Sequence, residues 1–519
     1  VFLNGNKNLK KNILFVTAEQ APFARAGGMS TVMRALPQAL NMLGHDARVI
    51  MPRYLQIDIS ALSMELEGFY VPTENVAENE DVACNVRFYD AKKNNDPEKP
   101  NDTYFLENLE YYEQRANIYG YADDAVRWAL LCRGALEFIK QSRWKPDIII
   151  ATDWQAGFLP NYLKTVYKND PRLNSIAVIF SIHNLSHQGS FKHQFVAESD
   201  FDDGHSPIPS FSDPRLLKIN GMRRGIMYAD AISTVSPTYT KEIASKELGE
   251  GLDSLLREKN GSLYGILNGI DTKLWDPSTN IYLKKNFSAK NSEGKQECKK
   301  ALQERFNLAV NQNTFVLGMV SRMSTQKGFD LIETALPILL EELDLQFVIV
   351  GEGETRFMDF FQKLQDSFPE KVGVQLKFEN ELPHQIFAGT DASLIPSKFE
   401  PCGLTQMEAM RYGSVPIVRK TGGLADTVFD YDPVQKTGTG FVFEKYDPYS
   451  LIISIVRAYE TFKHKVAWTK LIKETMSGRF SWADSAKMYE KMILETIAKK
   501  HKIVTFPKFK NKLQSSKII

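Results

Sequence analysis

Cysteine is scarce: Cys84, Cys132, Cys298 and Cys402 are the only four in 519 residues. They lie far apart and show no metal-ligand spacing, which excludes a disulfide framework and a cysteine-built zinc site and fits a reducing compartment. Net charge is almost absent, at +1, so no global electrostatic case exists for nucleic acid or a membrane surface as partner. No apolar run approaches the length of a bilayer span. The opening stretch VFLNGNKNLKK has no apolar core of the kind a secretory signal needs. The expectation is a cytoplasmic protein with no metal and no bound cofactor.

What is present is ordinary globular composition, 43% hydrophobic and 24% charged, in a chain too long for one core. Two domains with a cleft between them are expected. Short apolar runs at 12–17, 47–51, 146–151, 177–182 and 232–235 read as buried parallel strands, with helices at 31–43 and 123–140. The order strand, glycine loop (ARAGGMS, 24–30), helix, strand is a βαβ unit of the doubly wound kind. Residues 55–120 are polar and irregular and suit strand hairpins and acidic loops. A second βα series has strands at 315–320, 346–350, 392–396 and 415–418 and a helix at 329–343. The hinge is placed at 265–271 (GILNGID), where Asn-Gly marks a turn. The predicted organisation is therefore an N-terminal Rossmann-like domain over 1–265, a C-terminal one over 266–480, a last helix over 481–500 packing back on the first domain, and a loosely ordered basic tail over 501–519.

The chain is organised around 396–413, PSKFEPCGLTQMEAMRYG. Glu400 sits in a strand-to-helix turn punctuated by Pro401 and Gly403. The amides of Gly403, Leu404 and Thr405 open the helix, and free amides at such a terminus attract phosphate. A carboxylate beside an anion-binding amide cluster suits a ligand with both hydroxyls and phosphates, such as a sugar nucleotide; the plainer alternative is a helix-capping turn. Asp153, His183, Arg322 and Glu400 each lie just past the C-terminal end of a predicted parallel strand, where open α/β sheets place ligands.

Arg322 and Lys327 flank one turn in SRMSTQKG and could converge on a diphosphate, Arg as a fork and Lys as a point charge, or could simply be solvated. His183 could hydrogen-bond a sugar hydroxyl or be a structural histidine. Asp153 could bind carbohydrate or serve as N-cap of a helix at 154–166. Gly27 and Gly28 would let backbone approach a ligand closely. Cys402 has no neighbouring base to lower its pKa, which argues for a structural thiol over a nucleophile.

Taken in order, FVTAEQAPFARAGGMS, ATDWQAG, SIHNLSHQG, ADAISTVSPTY, GILNGIDTKLWDP, VSRMSTQKGFDLI, PSKFEPCGLTQMEAMRYGSVPIVRKTGGLADTV and FSWADSAKMY resemble the motif set of bacterial and plant glycogen/starch synthases over about 12–495. That resemblance implies an α/β protein of the GT-B fold, two facing Rossmann-like doubly wound domains with a central cleft. It implies a retaining glucosyltransferase moving glucose from ADP-glucose, or UDP-glucose, to the non-reducing end of an α-1,4-glucan. The nucleotide sugar is a substrate, so no cofactor is implied. Glu400 matches the active-site glutamate that contacts the donor glucose. Arg322 and Lys327 match the diphosphate-binding pair, and Asp153 and His183 match the glucose-pocket residues. Asn268 matches the hinge-side asparagine, and Phe378 stands where a tyrosine usually lies beside the base.

One loop departs from the family pattern. Where Lys-Thr-Gly-Gly-Leu is usual, this chain has Arg25-Ala26-Gly27-Gly28-Met29, and Thr31 replaces an acid. Arg25 keeps the positive charge and could swing toward the donor phosphates, or pair on the surface with an acid such as Glu19. The altered loop also leaves room for a second reading, a non-catalytic glucan-binding paralogue.

Overall fold

The structure is a computed structural model that describes residues 10–73, 81–94, 100–189, 202–377 and 379–505, with side chains to 502. Phe378, expected beside a nucleotide base, lies outside the described residues, as do 506–519 of the expected tail. Two compact units divide the chain. The first comprises 1–233, 250–264 and 486–519, the second 234–249 and 265–485. Among the described residues no helix is long and apolar enough to cross a membrane.

The first unit is built on one sheet. Its strands are β1 (Asn12–Val16), β2 (Asp46–Pro52), β3 (Ser63–Val71), β4 (Val82–Tyr89), β5 (Thr103–Glu107), β6 (Ile148–Thr152), β7 (Ala177–Ile182), β8 (Ala231–Thr234) and β9 (Leu263–Gly265), in the order β3-β4-β5-β2-β1-β6-β7-β8-β9. The run β5-β2-β1-β6-β7 is parallel. Its strands are buried on both faces, which is why NILFV and IIIAT are continuous apolar runs. The stretch read as irregular holds β3, β4 and β5, which pair antiparallel at one edge. β3 is mostly exposed, so SMELEGFYV carries little apolar signal.

The second unit has β10 (Phe315–Val320), β11 (Leu345–Val350), β12 (Val372–Gln375), β13 (Ala392–Ile395), β14 (Val415–Arg419) and β15 (Phe441–Phe443) in the order β12-β11-β10-β13-β14-β15, all parallel. The chain thus winds outward one way from β10, returns, and winds the other way from β13. The same reversal falls between β1 and β6 in the first unit. In doubly wound sheets the diverging loops at such a switch point leave a crevice for ligand. The last helix runs Trp482–Thr505, beyond the end expected from the sequence. The segment KKHKIVT contains no breaker before Pro507, so the helix propagates into the stretch expected to be a loose tail.

One buried cation fixes the helix that opens at Thr405. Lys295, 7% exposed, donates to three carbonyls: Phe387 O and Ala388 O at 3.2 Å and Tyr412 O at 2.9 Å. These are the carbonyl ends of the helices Leu382–Gly389 and Thr405–Arg411, where a cation is favoured. Burial pulls the ammonium down to about 8. Lys295→Met keeps the bulk and leaves the carbonyls unpaired. At about 1–3 kcal/mol per orphaned buried group, the melting temperature of this unit should fall by roughly 5–10 °C in calorimetry. An unshifted transition would mean the lysine is not the clamp.

Candidate active site

At the switch point of the second sheet, the loops after β10 and β13 meet. After β10 the chain makes a 3-10 turn, Thr325–Lys327, that ends on Gly328 at φ +79°. A Cβ on Gly328 would lie 2.2 Å from Pro396 O, so only glycine lets the turn close on the segment after β13. Lys398 N donates to Gln326 O at 2.8 Å and stitches the two loops together. The result is a short ion pair: Lys327 Nζ lies 2.6 Å from Glu400 Oε2. Ser397 Oγ donates to the same oxygen at 2.9 Å. Glu400 is 7% exposed; two donors on Oε2 fix its carboxylate and leave Oε1 for another donor. Lys327, Ser397, Glu400, Gly403, Leu404 and Thr405 all line one cavity of about 40 Å3.

The turn carrying Glu400 rests on the TGG segment. Gly422, at φ +42°, packs so closely that a Cβ would stand 1.9 Å from Glu400 O, and Gly423 N donates to that carbonyl at 3.1 Å. Glu242 Oε1 in turn accepts from Gly422 N at 3.0 Å and Thr421 Oγ1 at 2.9 Å. Cys402 sits inside this packing. Burial pushes its thiol up to about 12, against the backbone N–H of Asn268 that donates to it, so a thiolate nucleophile is not available here. The same contact brings Asn268 to the Glu400 turn; its buried Oδ1 has no partner among the described residues. Arg322 follows β10 and is exposed, on the segment that leads into the Lys327 turn.

In the first unit, Asp153 follows β6 and His183 follows β7. Asp153 does not cap a helix at 154–166 as one alternative had it. Its φ of +52° is a strained conformation, and its Oδ1 accepts instead from His183 N at 2.7 Å and Asn184 N at 3.4 Å. The chain continues into a 3-10 turn, Trp154–Ala156, and a helix, Phe158–Lys164. Burial pushes Asp153 up to about 7, and the Glu19 carboxylate adds to the rise. Burial also pulls His183 down to about 4, so the ring is neutral at pH 7 and rests 3.3 Å from Ser181 Oγ.

Glu19, expected only as a surface partner for Arg25, is enclosed. It is 3% exposed, and Oε2 accepts from the loop amides Ala26 N at 2.7 Å and Gly27 N at 3.0 Å, while Oε1 lies 3.2 Å from Tyr119 Oη. The carboxylate therefore holds the glycine loop from within. A Cβ on Gly28 would meet nothing within 4 Å, and one on Gly27 only Glu19 at 3.8 Å. Neither glycine is demanded by internal packing, so both keep open space beside the loop. Arg25 is exposed at its start.

The structure thus groups Lys327, Glu400, Gly403, Leu404, Thr405 and Asn268 in the second unit, with Arg322 on the segment before the Lys327 turn, and Asp153 with His183 in the first. Sequence reasoning missed Tyr119, Ser397 and Glu408 and read Glu19 only as a surface acid. Glu19 and Ser397 lie just past β1 and β13, so the strand-end rule applied to Asp153 also picks them out. Glu408 lies on the first turn of the helix Thr405–Arg411, and burial pushes it up to about 8.

The family profile described as "Starch synthase catalytic domain" matches 12–258, and "Glycosyl transferases group 1" matches 301–474. A glycogen synthase of Geotalea daltonii is 39% identical over 94% of this chain and 99% of its own. The chain belongs to the glycogen synthase family. Another member, from Thermotoga petrophila, is 38% identical over the same share of this chain. The solved catalytic domain of starch synthase IV from Arabidopsis thaliana, bound to ADP and acarbose, superposes with a TM-score of 0.80 at 31% identity, covering 94% of this chain and 100% of that one. Sucrose-phosphate synthase from Thermosynechococcus elongatus, 16% identical with a TM-score of 0.57, shares the fold. The fold is GT-B, with two Rossmann-like units, and this member of the family is a glycosyltransferase.

Two variants probe the candidate site. Gly422→Ala forces the Glu400 backbone to move, and turnover should drop about 100-fold while the folded signal by circular dichroism is kept; wild-type turnover would show that the TGG contact does not aim Glu400. Asp153 binds its proton more tightly folded, at about 7, than unfolded, where about 3.9 is usual. Its contribution to stability is complete below about pH 4 and is lost as pH rises to 7. Asp153→Asn should therefore gain melting temperature relative to wild type as pH rises from 4 to 7. A difference that is flat with pH would contradict the shifted carboxyl.

Proposed function

We propose that the enzyme transfers glucose from ADP-glucose to the 4-hydroxyl at the non-reducing end of an α-1,4-glucan, with retention of the α configuration. The observation that carries this reading is the Lys327–Glu400 pair, 2.6 Å apart at the switch point of the second sheet. A cation and a carboxylate so close suit a ligand whose anion and hydroxyls are neighbours, as in a sugar diphosphate. That the Arabidopsis starch synthase was captured with ADP favours adenine as the base, with UDP-glucose as the lesser donor.

In the proposed reaction the bond between the anomeric carbon and the diphosphate oxygen breaks, and negative charge gathers on the leaving group. Lys327 and Arg322 meet that charge, stabilising the transition state more than the ground state. Glu400, held by Ser397 and Lys327, accepts a hydroxyl of the departing glucose through Oε1. The acceptor hydroxyl attacks from the face the diphosphate leaves, and its proton passes to the leaving oxygen. The bond formed is α-1,4 and the second product is ADP. No side chain forms a covalent intermediate in this scheme. On the first unit, Asp153 and neutral His183 are assigned to sugar hydroxyls, and Arg25, Gly27 and Gly28 to the donor side.

Arg322→Ala and Lys327→Ala should each raise the barrier by roughly 2–4 kcal/mol, the scale of one lost charge-stabilising donor. Initial rates on glycogen with ADP-glucose and UDP-glucose in parallel, and the anomer of the new linkage by proton NMR, test the rest. Wild-type rates in both folded variants, or a β-linked product, would overturn the reading.

A further inference from the structure

At the edge of the first sheet opposite to Asp153 and His183, three lysines converge on one carboxylate. Asp230 stands just before β8, and its Oδ2 accepts from Val178 N, at the start of β7, at 2.9 Å. His183 follows the other end of β7, so the two places lie about 17 Å apart at the usual rise of a strand. Lys164 closes the helix Phe158–Lys164 and pairs with Asp230 through Oδ1. Lys259 follows the helix Asp253–Glu258, and its Nζ donates at 2.9 Å to Met227 O, in the helix that leads to Asp230. Lys500, near the end of the last helix, comes within hydrogen-bonding range of Lys164 and feels the Asp230 charge. All three lysines are half-buried, and all belong to the first unit.

The charges of this cluster do not balance. Each ammonium has three donors, and among the described residues the acceptors they meet are Asp230 Oδ1 and Met227 O. Both Asp230 oxygens are already engaged, one by Lys164 and one by Val178 N. The other carboxylate that acts on the group, Glu258, is exposed and acts on Lys259. Lys164 and Lys500 therefore stand side by side with positive charge in excess. Burial pulls the Lys500 ammonium down to about 8, and the Lys164 charge adds to the fall. Repulsion of this kind is relieved by an anion placed between the ammonium groups. The geometry selects the anion. The donors arrive from three separate helix ends, which suits a compact group with oxygens on every side, as in phosphate. A polyanionic chain needs an extended basic surface, and the protein as a whole is almost neutral at +1.

We infer that Lys164, Lys259 and Lys500 form a binding site for a phosphate group, carried by inorganic phosphate or by a small phosphate monoester, remote from the candidate active site. The test is isothermal titration of the full chain with inorganic phosphate and, separately, with glycerol 3-phosphate. ADP is present throughout to occupy the proposed donor site. Saturable binding of either probe is expected, and the tighter of the two tells the free ion from the ester. Lys500→Gln removes one charge near the end of the last helix and should weaken binding about tenfold, the scale of one lost hydrogen bond to a charged group. Lys499→Gln, at the exposed neighbouring position, removes the same charge outside the cluster and should leave the affinity as in wild type. Asp230→Asn removes the competing carboxylate and should tighten binding. Circular dichroism confirms that each variant is folded. Absence of saturable binding with both probes, or an equal loss in Lys499→Gln and Lys500→Gln, would overturn the site.

Discussion

Both units depend on one constraint: a parallel sheet must return its chain by a right-handed crossover, so strand order can reverse only by leaving two adjacent strand ends with loops that diverge. In the second sheet these are the ends of β10 and β13, and the turn with Lys327 and the turn with Glu400 are the residues they release. In the first sheet they are the ends of β1 and β6, which release the Glu19 loop and Asp153. The chemistry is placed by topology before any side chain is chosen. Glycine then permits the close approaches, as at Gly328 against Pro396 and Gly422 against Glu400.

The two units hold their acidic groups by different means. Asp153 and His183 are half-buried, with no opposite charge in contact among the described residues, and desolvation carries the carboxyl up to about 7 and the imidazole down to about 4. At pH 7 the imidazole is then neutral and the carboxyl about half protonated, so the pair offers both donors and acceptors of the kind sugar hydroxyls take. Glu400 instead keeps a cation and a hydroxyl on one oxygen. A carboxylate so held costs little to reorganise when charge moves nearby. Thiol chemistry is removed by the same means, since burial carries Cys402 to about 12.

Parallel strands such as β1, β6 and β11 were legible because burial on both faces makes them continuous apolar runs, and the candidate site residues were legible because they follow those runs; β5, β12 and β15, only five, four and three residues long, were not. A hairpin was expected within 55–120, but the strands of β3–β4 could not be placed: β3 is mostly solvent-exposed, and its register shifts break any alternation. Asp153 was ambiguous because an acid before a helix reads equally as a cap, and only the fold brings the His183 amide, 30 residues on, to its carboxylate. Glu19 was read as a surface acid since nothing local marks it as enclosed; Tyr119, 100 residues away, closes over it.

The proposed reaction requires Lys327 to serve both Glu400 and the donor diphosphate, and a crystal structure of the enzyme with ADP bound decides whether it does. Lys327 Nζ is expected within about 3 Å of a diphosphate oxygen, the usual charge-assisted distance, with Arg322 turned onto the same group and Glu400 still bonded to Ser397. ADP bound with its phosphates away from both cations would refute that dual role.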